Sequence, residues 1–340
     1  MERKLTLRSG VALAILWSFS LSSAQTVEDP QTQYNQGTAY WYGNGVPQNY
    51  GEAANWYRKA AEQGYAEAQY RLGQMLEIGQ GVKEDDAEAA KWYRKAAEQG
   101  VVLAQHNLGT MYVFGKGVES DAVEAAKWFR KAAEQGYDAS QYNLGVAYRD
   151  GQGVTQNFHE ALAWFRKAAD QDYAQAQFTL GLMYADGQGI PRDFSEAATW
   201  FRKSADQTYA PAEFNMGAMY EAGMGVPRDL AQAVEWYRKA AESGMSEAQD
   251  ALRKLAVMGY PPAQQALGMT YEHGWGGAKT DSEAVRWYRK AAEQGYPAAE
   301  QDLGRMLAAG RGTPKNETEA KEWFRRAAEK RVPPPQTKPQ

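Results

Sequence analysis

Histidines, carboxylates and glycine-rich turns are the residues of this chain whose types and spacing could carry chemistry. An imidazole can bind a metal ion or transfer a proton near neutral pH. His106, His159 and His273 are the three histidines, and none has a second histidine at the spacing that would let the two share a metal. His106 stands where similar stretches of the chain carry Tyr or Phe, so we expect a packed ring there. We therefore predict no catalytic residue and no metal site.

The glycine-x-glycine turns do not match a phosphate-binding loop. Gly115-Lys116-Gly117 lacks the Ser or Thr after the lysine and the four-residue spacing that such a loop requires. No pair of carboxylates is marked by the sequence as buried, and the absence of cysteine excludes disulfides, thiolate nucleophiles and cysteine-ligated zinc. We predict no bound cofactor and no enzymatic activity.

The charge balance points to proteins as partners. The 340 residues include 38 Lys and Arg against 42 Asp and Glu, with no long run of either sign. A chain of this kind has no basic surface for nucleic acid or for an anionic membrane. We therefore predict protein partners and no nucleic acid.

The N-terminus has the features of a secretory signal peptide. Arg3, Lys4 and Arg8 precede an apolar run of eleven residues, 11–21, and Ser22-Ser23-Ala24 supplies the small residues of a cleavage site. We predict cleavage after Ala24, which removes residues 1–24 and leaves an exported protein, periplasmic or secreted, without membrane insertion. An uncleaved anchor is the alternative, but a membrane-spanning helix needs roughly 20 apolar residues.

Internal repetition is the strongest pattern in the chain. Tryptophan recurs every 36 residues, with one interval of 51, at Trp56, Trp92, Trp128, Trp164, Trp200, Trp236, Trp287 and Trp323. Glycine keeps the same step at Gly37, Gly73, Gly109, Gly145, Gly181, Gly217, Gly268 and Gly304. A period of this length indicates units that bury their apolar faces only against their neighbours.

Each unit is predicted to hold two helices. In the fourth, Ala161, Trp164, Phe165 and Ala168 form the stripe of a helix with one buried face. A first helix precedes it in each unit and stops at a glycine-x-glycine turn. Its internal glycine is unfavourable in a helix, so we expect neighbouring backbones to approach closely there. The fold class is all-α, a solenoid of helix pairs.

The repeat, with runs such as KWYRKAAEQG at 91–100, resembles the Sel1-like repeat, a relative of the tetratricopeptide repeat. The resemblance implies a right-handed superhelix whose concave surface, lined by the first helices, holds partner proteins. It also implies a scaffold or adaptor, in bacteria often an exported one acting in envelope signalling or assembly. Cysteine-rich relatives bind or cleave β-lactams, and this chain lacks their cysteine pairs, so that enzymatic alternative is disfavoured.

The predicted solenoid covers residues 25–331. Its eight repeats are 30–65, 66–101, 102–137, 138–173, 174–209, 210–245, 261–296 and 297–331. A 15-residue unit at 246–260 has room for one helix only, so we expect a bend there. Residues 332–340 are rich in proline and are predicted to be a disordered tail.

The predicted binding surface comes from the end of the first helix. Most repeats carry polar or small residues there, whereas repeat one carries Trp41 and Tyr42 and repeat three carries Val113 and Phe114. Asn107 and Met111 should share a helical face with Phe114. We predict that these six residues bind protein, since exposed aromatic side chains are typical interface anchors. The alternative is that Trp41 and Tyr42 pack over the N-terminal cap.

Overall fold

The repeats fold as pairs of helices in a computed structural model that describes residues 28–329. Seventeen helices and no strand lie in that range. The first helices are α1 (Pro30–Tyr42), α3 (Ala66–Ile78), α5 (Val102–Phe114), α7 (Asp138–Asp150), α9 (Ala174–Asp186), α11 (Ala210–Ala222), α14 (Pro261–His273) and α16 (Pro297–Ala309). The second helices are α2 (Tyr50–Glu62), α4 (Asp86–Glu98), α6 (Ala122–Glu134), α8 (Phe158–Ala169), α10 (Phe194–Ala205), α12 (Leu230–Glu242), α15 (Asp281–Glu293) and α17 (Glu317–Glu329). The all-helical solenoid predicted from the sequence is confirmed.

Local signals set the helix ends. In repeat three, α5 ends where Gly115 takes a left-handed conformation, with φ of +66°, which glycine adopts without strain. Helix α6 begins after Asp121, whose carboxylate accepts hydrogen bonds from the backbone amides of Val123 and Glu124 at 2.9 and 3.0 Å. The connection between the two helices is therefore short and defined at both ends.

The second helix of each repeat supplies most of the core. In α6 the buried stripe contains Ala125, Trp128, Phe129 and Ala133. The Phe129 ring fills the space left by Gly109 of α5, because a Cβ built on that glycine would lie 2.8 Å from two ring carbons. The backbone oxygen of Ala125 would lie 3.3 Å from the same Cβ, so the predicted close approach of backbones is present, and the aromatic ring comes closer still.

A ladder of glutamine pairs, which was not predicted from the sequence, runs along the solenoid, and each pair has one buried and one exposed member within the same repeat. Gln105 donates to the carbonyl of Ala97 at 3.0 Å and accepts from Gln135 at 2.8 Å. The glutamine pair recurs as Gln63–Gln33, Gln99–Gln69, Gln171–Gln141, Gln207–Gln177 and Gln294–Gln264. These bonds satisfy polar atoms at the repeat boundaries, where an unpaired amide would be unfavourable.

The 15-residue unit forms a single helix, α13 (Ser246–Val257). It packs between α12 and α14, which also contact each other. The bend expected at this point stays a prediction. The signal peptide at 1–24 and the tail at 332–340 lie outside the described residues. Within 28–329, every helix falls short of the length and apolarity that crossing a bilayer requires.

Candidate functional site

Of the residues predicted to bind protein, two meet at one site. Val113 and Phe114 end α5, and the Phe114 side chain is 78% exposed. Tyr42 is also exposed but lies two repeats away, at the end of α1. Trp41 is half-buried with its ring edge-on to Tyr50 at 5.0 Å, so it packs within repeat one.

Met111 was wrongly placed on the exposed face. Its side chain is only 2% exposed, and it belongs to the core with Leu108. Met111 and Phe114 are three positions apart on α5, and the helix packs so that the first side chain is buried and the second is exposed. Asn107 is half-buried beside the Tyr93 hydroxyl.

The histidines pack or face solvent. His106 is half-buried against the rings of Phe129 and Tyr137, and its Nδ1 lies 2.9 Å from the Ser140 hydroxyl. Burial lowers the pKa of His106, opposed by the charge of Asp138. The packed ring predicted for His106 is confirmed. His159 is exposed, and His273 stacks on Trp275 at 4.5 Å. Within residues 28–329 no group of three His, Asp or Glu side chains could hold a metal ion.

Val113 and Phe114 form the rim of a cavity of about 160 Å³, which we name the central pocket. It lies between repeats three and four, with walls from α5, α6, α7 and the turn after α7. Its lining consists of Thr110, Val113, Phe114, Ala122, Ala125, Ala126, Phe129, Asn143, Val146, Ala147 and Gln152. None of these side chains ionises near neutral pH, and most are apolar.

Two small side chains create the space. Ala147 stands at a position of the repeat that carries methionine in most other repeats, namely Met75, Met111, Met183, Met219 and Met306. Ala122 stands at the first position of the second helix, where the next two repeats carry Phe158 and Phe194. The sequence shows that these two positions are small but does not show that they lie together, and the predicted binding surface rested only on the ends of the first helices.

The floor of the central pocket lacks a hydroxyl that other repeats have. Where the second helix carries tyrosine, its hydroxyl donates to a glutamate of the first helix in three repeats: Tyr93 to Glu77 at 2.7 Å, Tyr237 to Glu221 at 2.8 Å and Tyr288 to Glu272 at 2.8 Å. Repeat three has Phe129 and Val113 at these two positions. The floor is therefore apolar and carries no buried charge.

The same positions between repeats seven and eight hold a network of charges, which we name the C-terminal cluster: Glu272, Asp281, Tyr288, Arg305 and Arg311. Glu272, at the position of Val113, is 2% exposed. Arg305 donates to its two oxygens at 2.5 and 2.7 Å, and Arg311 donates at 2.9 Å and also binds Asp281 at 2.8 Å.

Electrostatics favour the ionised form of Glu272. Burial by itself would raise the pKa of this carboxyl, but the Arg305 guanidinium and the Tyr288 hydroxyl outweigh burial and hold the pKa at about 2. The carboxylate thus remains charged and paired with two arginines. In the C-terminal cluster, charged side chains occupy the positions that leave an open space at the central pocket.

A wider depression of about 360 Å³ lies one repeat along from the central pocket, between repeats four and five. Its walls include Arg149, Asp150 and Asp186. Arg149 binds both carboxylate oxygens of Asp150, at 2.7 and 2.9 Å. Asp186 is exposed and forms no ion pair within the described range. The depression therefore has one carboxylate in excess, beside a neutral pocket.

Comparison with known proteins agrees with this architecture. The Sel1 repeat model matches residues 30–65, 66–101, 102–137, 138–173, 174–209, 210–245, 261–296 and 297–331. A protective antigen present in uropathogenic Escherichia coli strains, with an SLR fold, is 35% identical over 88% of this chain and 77% of its own, with a TM-score of 0.64. A Sel1 repeat protein from Oxalobacter formigenes is 33% identical over 90% of this chain and 84% of its own, with a TM-score of 0.58. The search of curated proteins found no match.

Proposed function

The chain belongs to the Sel1 repeat family, and from that premise we propose that it is a scaffold that binds partner proteins at the face containing the central pocket. Sel1 repeat proteins generally mediate protein–protein interactions and are generally not catalysts. The part specific to this chain is the location of the binding surface between repeats three and four.

The exposed Phe114 is the observation that carries this proposal. Its ring is 78% exposed at the rim of an apolar cavity. Contact of such a surface with water is unfavourable, and exposed apolar patches on folded proteins mark interaction sites. Aromatic side chains beside well-formed pockets are typical hot spots of protein interfaces. Together, the ring and the cavity support a docking site for another protein.

Export is the second part of the proposal. The basic residues, the short apolar run and the small residues before Gln25 support secretion followed by cleavage. The description of a 35% identical relative as a protective antigen is in keeping with an exported protein. We expect the intact mass of the exported protein to correspond to a chain that begins at Gln25. An exported chain that retained residues 1–24 would contradict this.

The binding surface can be tested by capture from a native envelope fraction. Immobilised wild-type protein, Phe114→Ala and Met258→Ala should be compared for the partners they retain. Met258, at the end of α13, is 75% exposed. Met258→Ala therefore removes an exposed apolar side chain far along the chain from the pocket and serves as the matched control. We expect Phe114→Ala to reduce capture at least tenfold, and Met258→Ala to leave it unchanged. Equal capture by all three proteins would contradict the proposed surface.

A further inference from the structure

The central pocket has the size of one side chain. A cavity of about 150 Å³ with apolar walls admits a benzene-sized molecule, and the central pocket measures about 160 Å³. A phenylalanine ring or a leucine side chain therefore fits. Because the lining is uncharged, a charged side chain entering the pocket would lose its hydration without gaining a partner.

One wall of the pocket offers an unused hydrogen-bonding group. The Asn143 amide lines the cavity and has no hydrogen-bond partner within residues 28–329. The matching Asn107, one repeat earlier, lies beside the hydroxyl of Tyr93. Asn143 meets Phe129 instead, which has no hydroxyl. An amide side chain can donate and accept, so Asn143 is able to bind the backbone of a peptide that places a side chain in the pocket.

The neighbouring depression adds a charge preference. The exposed carboxylate of Asp186 is one repeat along from the pocket, and the Arg149–Asp150 pair beside it is already neutralised internally. Successive first helices lie roughly 10 Å apart when helices pack, and an extended chain rises about 3.3 Å per residue. The pocket opens between α5 and α7, whereas Asp186 ends α9, about one and a half helix separations or roughly 15 Å away. A peptide crossing from the pocket to Asp186 therefore covers about five residues.

We propose that the central pocket receives a single uncharged side chain, Phe or Leu, from an extended segment of the partner, and that Asp186 pairs with a Lys or Arg about five residues away on that segment. This inference rests on the proposed function and specifies the partner at the same site. The partner segment carries an apolar anchor and a basic residue, because the pocket is neutral and the depression is acidic.

Short peptides provide the probes. Acetyl-SFSSSSKS-amide and acetyl-SKSSSSFS-amide carry the anchor and the cation in the two possible chain directions. A version with Phe replaced by Ser tests the apolar anchor, and a version with Lys replaced by Glu tests the charge preference. Titration of isotope-labelled protein, followed by amide chemical shifts in NMR spectra, gives the dissociation constant and locates the binding. We expect one of the two Phe–Lys peptides to bind, with shifts in α5, α6 and α7 from the anchor and at the end of α9 from the cation.

Variants of the protein test the apolar anchor and the ion pair with Asp186 separately. Ala147→Met places in the pocket the side chain that most repeats carry at this position, and we expect at least tenfold weaker binding of the Phe–Lys peptide. Ala309→Met is the matched control, because Ala309 is the exposed counterpart of Phe114 in repeat eight. Asp186→Asn should weaken binding of the Phe–Lys peptide several-fold, and the effect should be larger at low salt than at high salt. The same variant should bind the Phe–Glu peptide at least as tightly as the wild type does.

Each outcome decides between the alternatives. Failure of both Phe–Lys peptides to bind at millimolar concentration would overturn the inference, as would unchanged binding to Ala147→Met. Equal affinity for the Lys and Glu peptides would overturn the charge preference. If partner capture is lost with Phe114→Ala but persists with Ala147→Met, the proposed function stands and the inference about the pocket is wrong. If wild-type protein captures nothing that Phe114→Ala fails to capture, the proposed function itself is wrong.

Discussion

The junction between repeats three and four and the junction between repeats seven and eight use the same backbone positions for opposite purposes. At the first, Val113, Ala122 and Ala147 leave an apolar cavity. At the second, the residues at matching positions include Glu272 and Asp281, which bind arginines across the boundary. Since the stability of a solenoid is close to a sum of terms from repeats and their neighbours, one junction can stay open while another is filled.

The junction between repeats two and three shows that the filled arrangement is not confined to the C-terminus. Lys116 lies 3.5 Å from Glu77 and 3.2 Å from Asp86. These residues occupy the positions of Arg311, Glu272 and Asp281 in the C-terminal cluster. The charged arrangement therefore occurs at two junctions, and the apolar pocket is a different use of the same positions. We infer that binding, rather than stability, explains the small residues at the central pocket.

The largest effect is expected from removing the centre of the C-terminal cluster. Glu272→Ala leaves Arg305, Arg311 and the Tyr288 hydroxyl without their shared acceptor, and breaking a buried ion pair costs about 3 kcal/mol. Urea denaturation should show this loss in the free energy of unfolding. Glu322→Ala is the control, because Glu322 also binds two arginines but on the exposed surface. We expect no measurable change for Glu322→Ala, and an equally small change for Glu272→Ala would contradict a structural role for the cluster.

Acid should weaken the C-terminal cluster and leave the central pocket unaffected. The pKa of Glu272 lies at about 2 in the folded chain, against an ordinary value of 4.5. Its contribution to stability is therefore fully present above pH 4.5 and is lost as the pH falls from 4.5 toward 2. The difference in unfolding free energy between wild type and Glu272→Ala should shrink over that range. A difference independent of pH would show that the carboxylate charge has no role in stability.

Filling the central pocket should stabilise the protein. Ala147→Met buries three more heavy atoms against apolar walls, and at about 0.8 kcal/mol per methylene-sized group the gain is about 2 kcal/mol. Because no titratable side chain lines the pocket, this gain should not vary with pH. The measurement is urea denaturation beside the control Ala309→Met. A destabilised Ala147→Met would mean that the walls do not admit the methionine that other repeats carry.

The smallest effect is expected from transferring a tyrosine–glutamate pair to the pocket. Phe129→Tyr combined with Val113→Glu reproduces the pair formed by Tyr93 and Glu77. A hydrogen bond to a charged acceptor at a half-buried site should give a coupling of about 1 kcal/mol in a double-mutant cycle. Zero coupling would indicate that the backbone of repeat three differs from that of repeat two.

Periodicity made the helices and their pairing predictable, because every repeat offers the same apolar stripe and the same glycine stop. The exposure of Phe114 was also predictable, since its counterparts in other repeats include Asp150 and Asp186. Met111 was misplaced because helical spacing alone does not show how far an exposed face extends. The C-terminal cluster escaped prediction because Glu272 finds its arginines 33 and 39 residues away, a separation that no local pattern specifies.

The pocket escaped prediction for a different reason. It exists because two residues on separate helices, Ala122 and Ala147, are small at once. Neither is unusual in a helix, and only their shared location makes a cavity. The glutamine ladder was missed similarly, since Gln105 and Gln135 come from helices that meet only in the folded chain.

The affinity of Ala147→Met for a partner captured by the wild-type protein tests most directly the claim that the central pocket is kept open for binding. The variant changes one side chain and is expected to be the more stable protein, so a loss of binding could not be attributed to unfolding. We predict a dissociation constant at least tenfold higher than that of the wild type, with a raised free energy of unfolding. An unchanged dissociation constant in a stabilised Ala147→Met protein would contradict this claim.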